Sequence, residues 1–139
     1  MKTAVIYWSG TGNTEAMANA VAEGMKEAGA EVTMLTPDQV QAGELGGYGA
    51  IAFGCPAMGA EVLEEDEFEP MFTGCEAGLN GKKIGLFGSY GWGDGQWMRD
   101  WQERCQGDGA VLVAEPVIAN EDPDDDAIAA CKALGAALA

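Results

Sequence analysis

Three short segments of the chain combine residue types that can hold an anion, turn a peptide or face a flat ring. The first reads Ser9-Gly10-Thr11-Gly12-Asn13-Thr14. Its glycines let the backbone approach an anion closely, and its hydroxyls and amide can donate to oxygen. A helix beginning at its end would add free N–H groups and the positive end of a dipole. The segment lacks the G-K-[ST] of a P-loop, and Glu15 stands where a G-x-G-x-x-G fingerprint has its third Gly. It contains no Lys or Arg, so a phosphate bound there is held by neutral donors and a dipole. An ordinary polar turn with a Thr cap is the plainer reading. It is disfavoured because hydroxyls are concentrated here in a chain whose only serines are Ser9 and Ser89.

The second segment is Cys55-Pro56-Ala57-Met58-Gly59-Ala60-Glu61. Gly59 can take a positive φ at little steric cost, which permits a peptide to flip and makes a switchable carbonyl. On composition alone a plain Pro/Gly turn, with Met58 in the core, is the better account. The third is Gly88-Ser89-Tyr90-Gly91-Trp92-Gly93-Asp94-Gly95. Four glycines around two aromatics build little core, but they can present Tyr90 or Trp92 as a flat surface beside bare backbone. The alternative is a flexible loop with one aromatic folded back onto the domain.

The inventory removes other chemistry. With no His, the chain cannot carry a Ser-His-Asp triad or a His-bearing zinc site. Cys55, Cys75, Cys105 and Cys131 form no C-x-x-C pair, so no metal site is expected and the thiols read as reduced, in a cytoplasmic protein. A net charge of −16 argues against nucleic acid and against an anionic membrane surface. No apolar run approaches the roughly 18 residues that span a bilayer, and residues 4–8 are too few for a signal-peptide core.

The elements that must position these segments follow from hydropathy. Short apolar runs alternate with longer amphipathic ones across the 139 residues, the pattern of βαβ units in one domain, 1–139. Strands are expected at 3–8, 31–35, 50–54, 84–88 and 110–117, those at 50–54 and 84–88 being the most apolar and hence central. Helices are expected at 15–28, where Met17, Val21 and Met25 form one stripe ended by Gly29, around Phe68, Met71 and Phe72, from Trp97 to about Gly107, and at 126–138. Residues 36–49 are Gly-rich and predict a short helix at best. Strict alternation implies an α/β, doubly wound, five-stranded parallel sheet with helices on both faces, whose ligands sit beyond the carboxyl ends of the strands. The loops after Trp8, Gly54, Gly88 and Ile118 are therefore the ones to inspect.

Taken together and in order, the three segments, the run Glu61-Val62-Leu63-Glu64-Glu65-Asp66-Glu67-Phe68-Glu69-Pro70 and Trp97-Met98-Arg99-Asp100 resemble the short-chain flavodoxins of anaerobic bacteria, over nearly the whole chain. The resemblance implies a flavodoxin-like sheet of order 2-1-3-4-5 and non-covalent FMN. It makes the protein a low-potential one-electron carrier rather than an enzyme, cycling between neutral semiquinone and anionic hydroquinone in place of a ferredoxin. Ser9, Gly10, Thr11, Gly12, Asn13 and Thr14 would hold the phosphate. Met58, beside Ala57, would cover the inner face of the flavin and Trp92 would stack on the outer one. The Met58–Gly59 peptide would turn its carbonyl toward flavin N5 on reduction, and Glu61 would accept from N3. Ser89, Tyr90 and Gly91 would border the ring's polar edge. Ala60 occupies a position expected to vary.

Six of the nine residues at 61–69 are acidic, as are five of the six at 121–126. For the second cluster a solvated face is the favoured reading. For the first, a unit charge about 10 Å away in water adds roughly 0.4 kcal/mol, or about 18 mV, against an incoming electron, so six could lower the potential by about 100 mV at most. The same rim would steer redox proteins with basic patches, such as ferredoxin-dependent oxidoreductases, toward a monomeric carrier. The rivals are a small FMN-dependent NAD(P)H or quinone reductase and a cofactor-free acidic interaction module. A receiver domain lacks its acceptor Asp where Gly54-Cys55 stands, and a low-molecular-weight phosphatase lacks its C-x5-R because Glu61 takes the Arg position.

Overall fold

The computed structural model describes residues 1–139 except Ala60, Trp92 and the side chain of Ala42. The strands are β1 (Lys2–Tyr7), β2 (Glu31–Leu35), β3 (Ala50–Gly54), β4 (Lys83–Tyr90), β5 (Val111–Leu112) and β6 (Val117–Asn120). All pairings are parallel, in the order β2-β1-β3-β4-β5, with β6 also on β4. β3 is buried at every position and β4 at all but its ends, as their apolar sequences require, whereas the edge strand β2 keeps Glu31 and Thr33 in solvent.

The fifth strand differs from its expected span of 110–117. Between the Ile84–Leu112 and Phe87–Val117 pairings β4 advances three residues while its partner advances five. The excess sits at 113–116, where Pro116 has no N–H to give to a ladder and the chain leaves the sheet before rejoining it. β6 consequently ends at Asn120 and places residues 121 and 122 at the carboxyl edge of the sheet.

Helices α1 (Asn13–Glu27) and α4 (Asp125–Leu138) cover one face, while α2 (Phe68–Cys75) and α3 (Gln96–Gly107) pack into a separate core on the other. Residues 36–49 hold two short 3-10 turns, Pro37–Gln39 and Ala42–Gly47. They are pinned to the start of β4 by Lys82 Nζ, which donates to the carbonyls of Leu45 (3.2 Å) and Tyr48 (2.6 Å).

The two cores are built differently. Phe53, Phe68, Phe72, Trp97 and Trp101 fill the α2/α3 side, with edge-on contacts such as Phe53–Phe72 at 5.1 Å between ring centres. The α1/α4 side is filled mostly by Ala, Val, Met and Leu. Small residues there let α1 and α4 meet backbone to backbone: a Cβ on Gly24 would lie 2.1 Å from the Lys132 carbonyl oxygen, and one on Gly135 would lie 2.1 Å from that of Val21. α1 in turn begins two residues earlier than expected, directly at the end of the first segment singled out above.

Candidate functional site

The loops after β1, β3, β4 and β6 surround a cleft of about 480 Å³ at the carboxyl edge of the sheet. Gly54 and Gly88 make its floor compact, since a Cβ at Gly54 would strike the Phe87 ring and one at Gly88 the Cys55 carbonyl.

The β1–α1 loop is ordered by its own side chains. Ser9 Oγ accepts the N–H groups of Gly12 and Glu15, both at 3.2 Å, and keeps its own proton to donate. Gly12 caps α1 in the left-handed region (φ +95°) with no side-chain cap of its own. The N–H groups of Asn13 and Thr14 find no acceptor among the described residues, the state in which a helix N-terminus attracts an anion. Thr14 is buried, and its hydroxyl shares a 2.9 Å hydrogen bond with that of Ser89 on β4, stitching loop to sheet. Thr11 and Asn13 line the cleft.

In the loop after β3, the buried Cys55 thiol accepts the Glu64 N–H at 3.3 Å, and burial pushes it up to about 12. It is thus a neutral structural thiol. The Cys55 carbonyl accepts from Trp97 Nε1 at 3.1 Å. Met58 and Val62 then exchange both backbone hydrogen bonds, at 2.8 and 3.0 Å, closing a tight turn with Gly59 at φ +52° and Glu61 at φ +55°. The Met58 carbonyl, expected to turn toward the cleft, is engaged by the Val62 N–H. Rotating it outward breaks that bond, at a cost of about 1 kcal/mol. Met58 itself lines the cleft and is 38% exposed.

Glu61 is not among the residues lining the cleft: its Oε1 accepts the Gln96 N–H at 3.0 Å and serves the start of α3. In the loop after β4, Tyr90 lines the cleft while leaning on Trp97, with 5.5 Å between ring centres. Its carbonyl accepts the Glu121 N–H at 2.7 Å.

Of the residues singled out from sequence, Gly10, Thr11, Asn13, Thr14, Ala57, Met58, Ser89, Tyr90 and Gly91 converge on the cleft. Ser9 and Gly12 shape the loop behind it, Gly59 forms the turn, and Glu61 is turned to α3. Trp92 and Ala60 lie outside the described residues. Trp8, Pro56, Glu121 and Asp122 complete the lining without having been assigned to it. The signal for the last two was present, in the loop following Ile118, but the run of acids there reads as a solvated face.

None of the six carboxylates at 61–69 lines the cleft. Glu64 is buried and accepts the N–H groups of Asp66, Glu67 and Phe68, each at 2.8 Å. Burial alone pushes its carboxyl up, but the three donors outweigh that and hold it below the ordinary value. Glu69 is paired with Arg104 at 2.7 Å and Glu67 accepts from Trp8. A more open depression of about 710 Å³, lined by Lys2, Lys26, Glu31 and Tyr48, lies at the amino end of the strands, away from these groups.

The lining fits a phosphomonoester joined to a flat ring: unpaired N–H groups and hydroxyls at the α1 end, Met58 and Tyr90 toward the other loops, and, among the described residues, no Lys or Arg in the wall. A family model described as Flavodoxin matches residues 5–135. A flavodoxin of Clostridium beijerinckii is 50% identical over 121 residues, covering 87% of this chain and 88% of that protein. One from Megasphaera elsdenii is 46% identical over 135 residues, covering 97% and 96%. The solution structure of the two-electron reduced Megasphaera elsdenii flavodoxin superposes with a TM-score of 0.90, covering 98% of this chain and 97% of that one. With the sheet order, the cleft and these relatives in agreement, the chain belongs to the flavodoxin family, whose members are electron-transfer proteins that carry FMN.

Proposed function

We propose that residues 1–139 act as one domain and as a low-potential one-electron carrier. In this reading the chain cycles FMN between neutral semiquinone and anionic hydroquinone and takes the place of a ferredoxin in the cytoplasm. The observation that carries it is the composition of the cleft wall, which among the described residues holds two carboxylates, Glu121 and Asp122, and no cation. Placing an extra negative charge in such a cleft is disfavoured, and that lowers the potential at which the last electron enters.

The bound cofactor supplies the redox chemistry, and the chain supplies its surroundings. Thr11, Asn13 and the free N–H groups at the start of α1 hold the phosphate, with Ser9 and Gly12 fixing the loop that presents them. Ala57 and Met58 would face one side of the ring and Tyr90 and Gly91 the other, with Trp92 proposed as the outer cover. Gly59 gives the 58–62 turn the freedom to exchange hydrogen-bond partners. For Glu61 to accept from the ring it must share its carboxylate with Gln96, which one oxygen for each partner permits. The chain's excess of acid draws in proteins that present basic patches, to a carrier that works as a monomer.

Stepwise anaerobic reduction followed by visible absorption tests the reading. A yellow protein that passes through a blue, long-wavelength-absorbing species is the expected result. Reduction in a single two-electron step, or turnover with NAD(P)H alone, would overturn the carrier in favour of a reductase. A protein that stays colourless after incubation with FMN would leave an acidic interaction module.

A further inference from the structure

Trp8 is the last residue before the phosphate loop, and its backbone is fixed by the sheet: its N–H donates to the Gly54 carbonyl at 3.0 Å. Its side chain lines the cleft. The six-membered part of the ring packs against Gly10, where a Cβ would sit 3.0 Å from Cη2 and 3.2 Å from Cζ3. The orientation of the ring therefore sets the flank of the loop at its second residue. In the five-membered part of the ring, the indole Nε1 donates to Glu67 Oε1 at 3.2 Å.

Glu67 stands at the N-cap of α2, yet its carboxylate caps no N–H of that helix. Glu64 has taken those donors, which leaves the Glu67 side chain free to reach across to β1. One hydrogen bond thus ties the start of α2 to an aromatic wall of the cleft.

We propose that Glu67 is a positioning residue for the phosphate end of the cofactor site, acting through Trp8: it holds the indole against Gly10 and so pre-organises the loop that grips the phosphate. The proposal rests on the FMN reading above.

Charge and position predict opposite signs here, which makes the role testable. If Glu67 matters only as a negative charge near a phosphate, Glu67→Gln and Glu67→Ala both tighten FMN. If it matters as an acceptor, Glu67→Gln keeps the indole bond and binds FMN within about twofold of the parent or tighter, while Glu67→Ala weakens FMN by about three- to tenfold, the worth of one partly exposed hydrogen bond. Riboflavin, which lacks the phosphate, changes by less than about twofold in both variants. Trp8→Phe removes the donor and gives a similar loss, and Trp8→Phe/Glu67→Ala is no weaker than the poorer single variant, because the two remove one interaction.

In the apoprotein, Glu67→Ala shifts the Trp8 indole N–H resonance and leaves those of Trp97 and Trp101 in place, which reports the pair without any cofactor and shows that the variant is folded. Additive losses, equal losses for FMN and riboflavin, equal effects of Gln and Ala, or an unmoved Trp8 indole signal would each overturn the proposal. A parent protein that binds no FMN but whose Trp8 signal responds to Glu67→Ala would instead sink the cofactor reading and leave the tie between Glu67 and Trp8 standing.

Discussion

A buried carboxylate at position 64 is stabilising rather than costly because three N–H groups converge on it, replacing the water it gave up. Its pKa lies below the ordinary 4.5, so the stability it confers is complete above that value and is lost as pH falls through the lowered one. Glu64→Gln keeps one acceptor and adds two donors that face N–H groups, and it should cost about 1 to 2 kcal/mol at pH 7. Urea unfolding at pH 7 and at pH 3 checks this: the loss should shrink at the lower pH, and an equal loss at both would show that ionisation is not the cause. This role was not legible in sequence, since one acid among six in a nine-residue stretch carries no mark of burial. That Thr11 and Asn13 border a cleft was legible from polar residues clustered between a strand and a helix; that Ser9 orders the loop behind it was not. Nor was the part played by Glu67, whose partner lies 59 residues away.

Among elements, the two layers of helix are held by opposite means. Arg104 on α3 pairs with Glu69 at 2.7 Å and Glu76 at 2.6 Å and lies 4.9 Å from the centre of the Phe72 ring, tying α3 to α2 by charge. At the end of α3 Asp108 meets Glu76 with one carboxyl oxygen buried and unpartnered among the described residues. Sharing a proton with Glu76, and then burial, push its carboxyl up to about 6 from an ordinary 3.8. A raised acid pKa means that the folded state binds the extra proton, so the penalty is absent below 3.8 and complete above about 6. Asp108→Asn should therefore raise the melting temperature at pH 7.5 and bring little gain at pH 3.5. A gain of the same size at both would exclude the titration.

On the other face, Gly24→Ala pushes a methyl into the Lys132 carbonyl, which belongs to backbone and cannot swing away. A loss of about 2 to 3 kcal/mol in denaturant unfolding is expected, and an unchanged midpoint would show that the helices slide apart freely. The doubly wound parallel sheet was legible from alternation, whereas the order 2-1-3-4-5 came only with the flavodoxin resemblance. The break at 113–116 was not legible, because an apolar run on either side of Pro116 looks like one strand until the register with β4 is counted.

At the scale of the whole molecule, the charge of −16 acts on the two kinds of partner with opposite signs. A basic redox protein is attracted, so electron-transfer rates should fall as salt rises. The phosphate of FMN meets a cleft with Glu121 and Asp122 in its wall and, among the described residues, no cation, so salt screens repulsion and FMN binding should tighten as salt rises. Stopped-flow transfer and apoprotein titration across about 20 to 300 mM NaCl, over which the screening length falls from roughly 20 to about 6 Å, measure the two trends. A flat transfer rate would remove steering, and FMN binding that weakens with salt would point to a cation at the phosphate. Replacing Glu121 and Asp122 by Gln and Asn should flatten the cofactor trend more than neutralising Glu64 and Glu69, which are occupied elsewhere.

The glycine contact between α1 and α4 joins the first helix of the fold to its last. The two helices lie near opposite ends of the chain, and distant pairings of this kind are expected to form late because closure entropy comes before any reward. α1 also rests on the sheet and its head is tied to β4 through Thr14 and Ser89, so docking of α4 completes the seat of a helix already partly placed. A folding intermediate with the sheet built and α4 still detached would thus grip a phosphate at the head of α1 less firmly than the native fold does, so that cofactor affinity reports in part on the docking of the last helix.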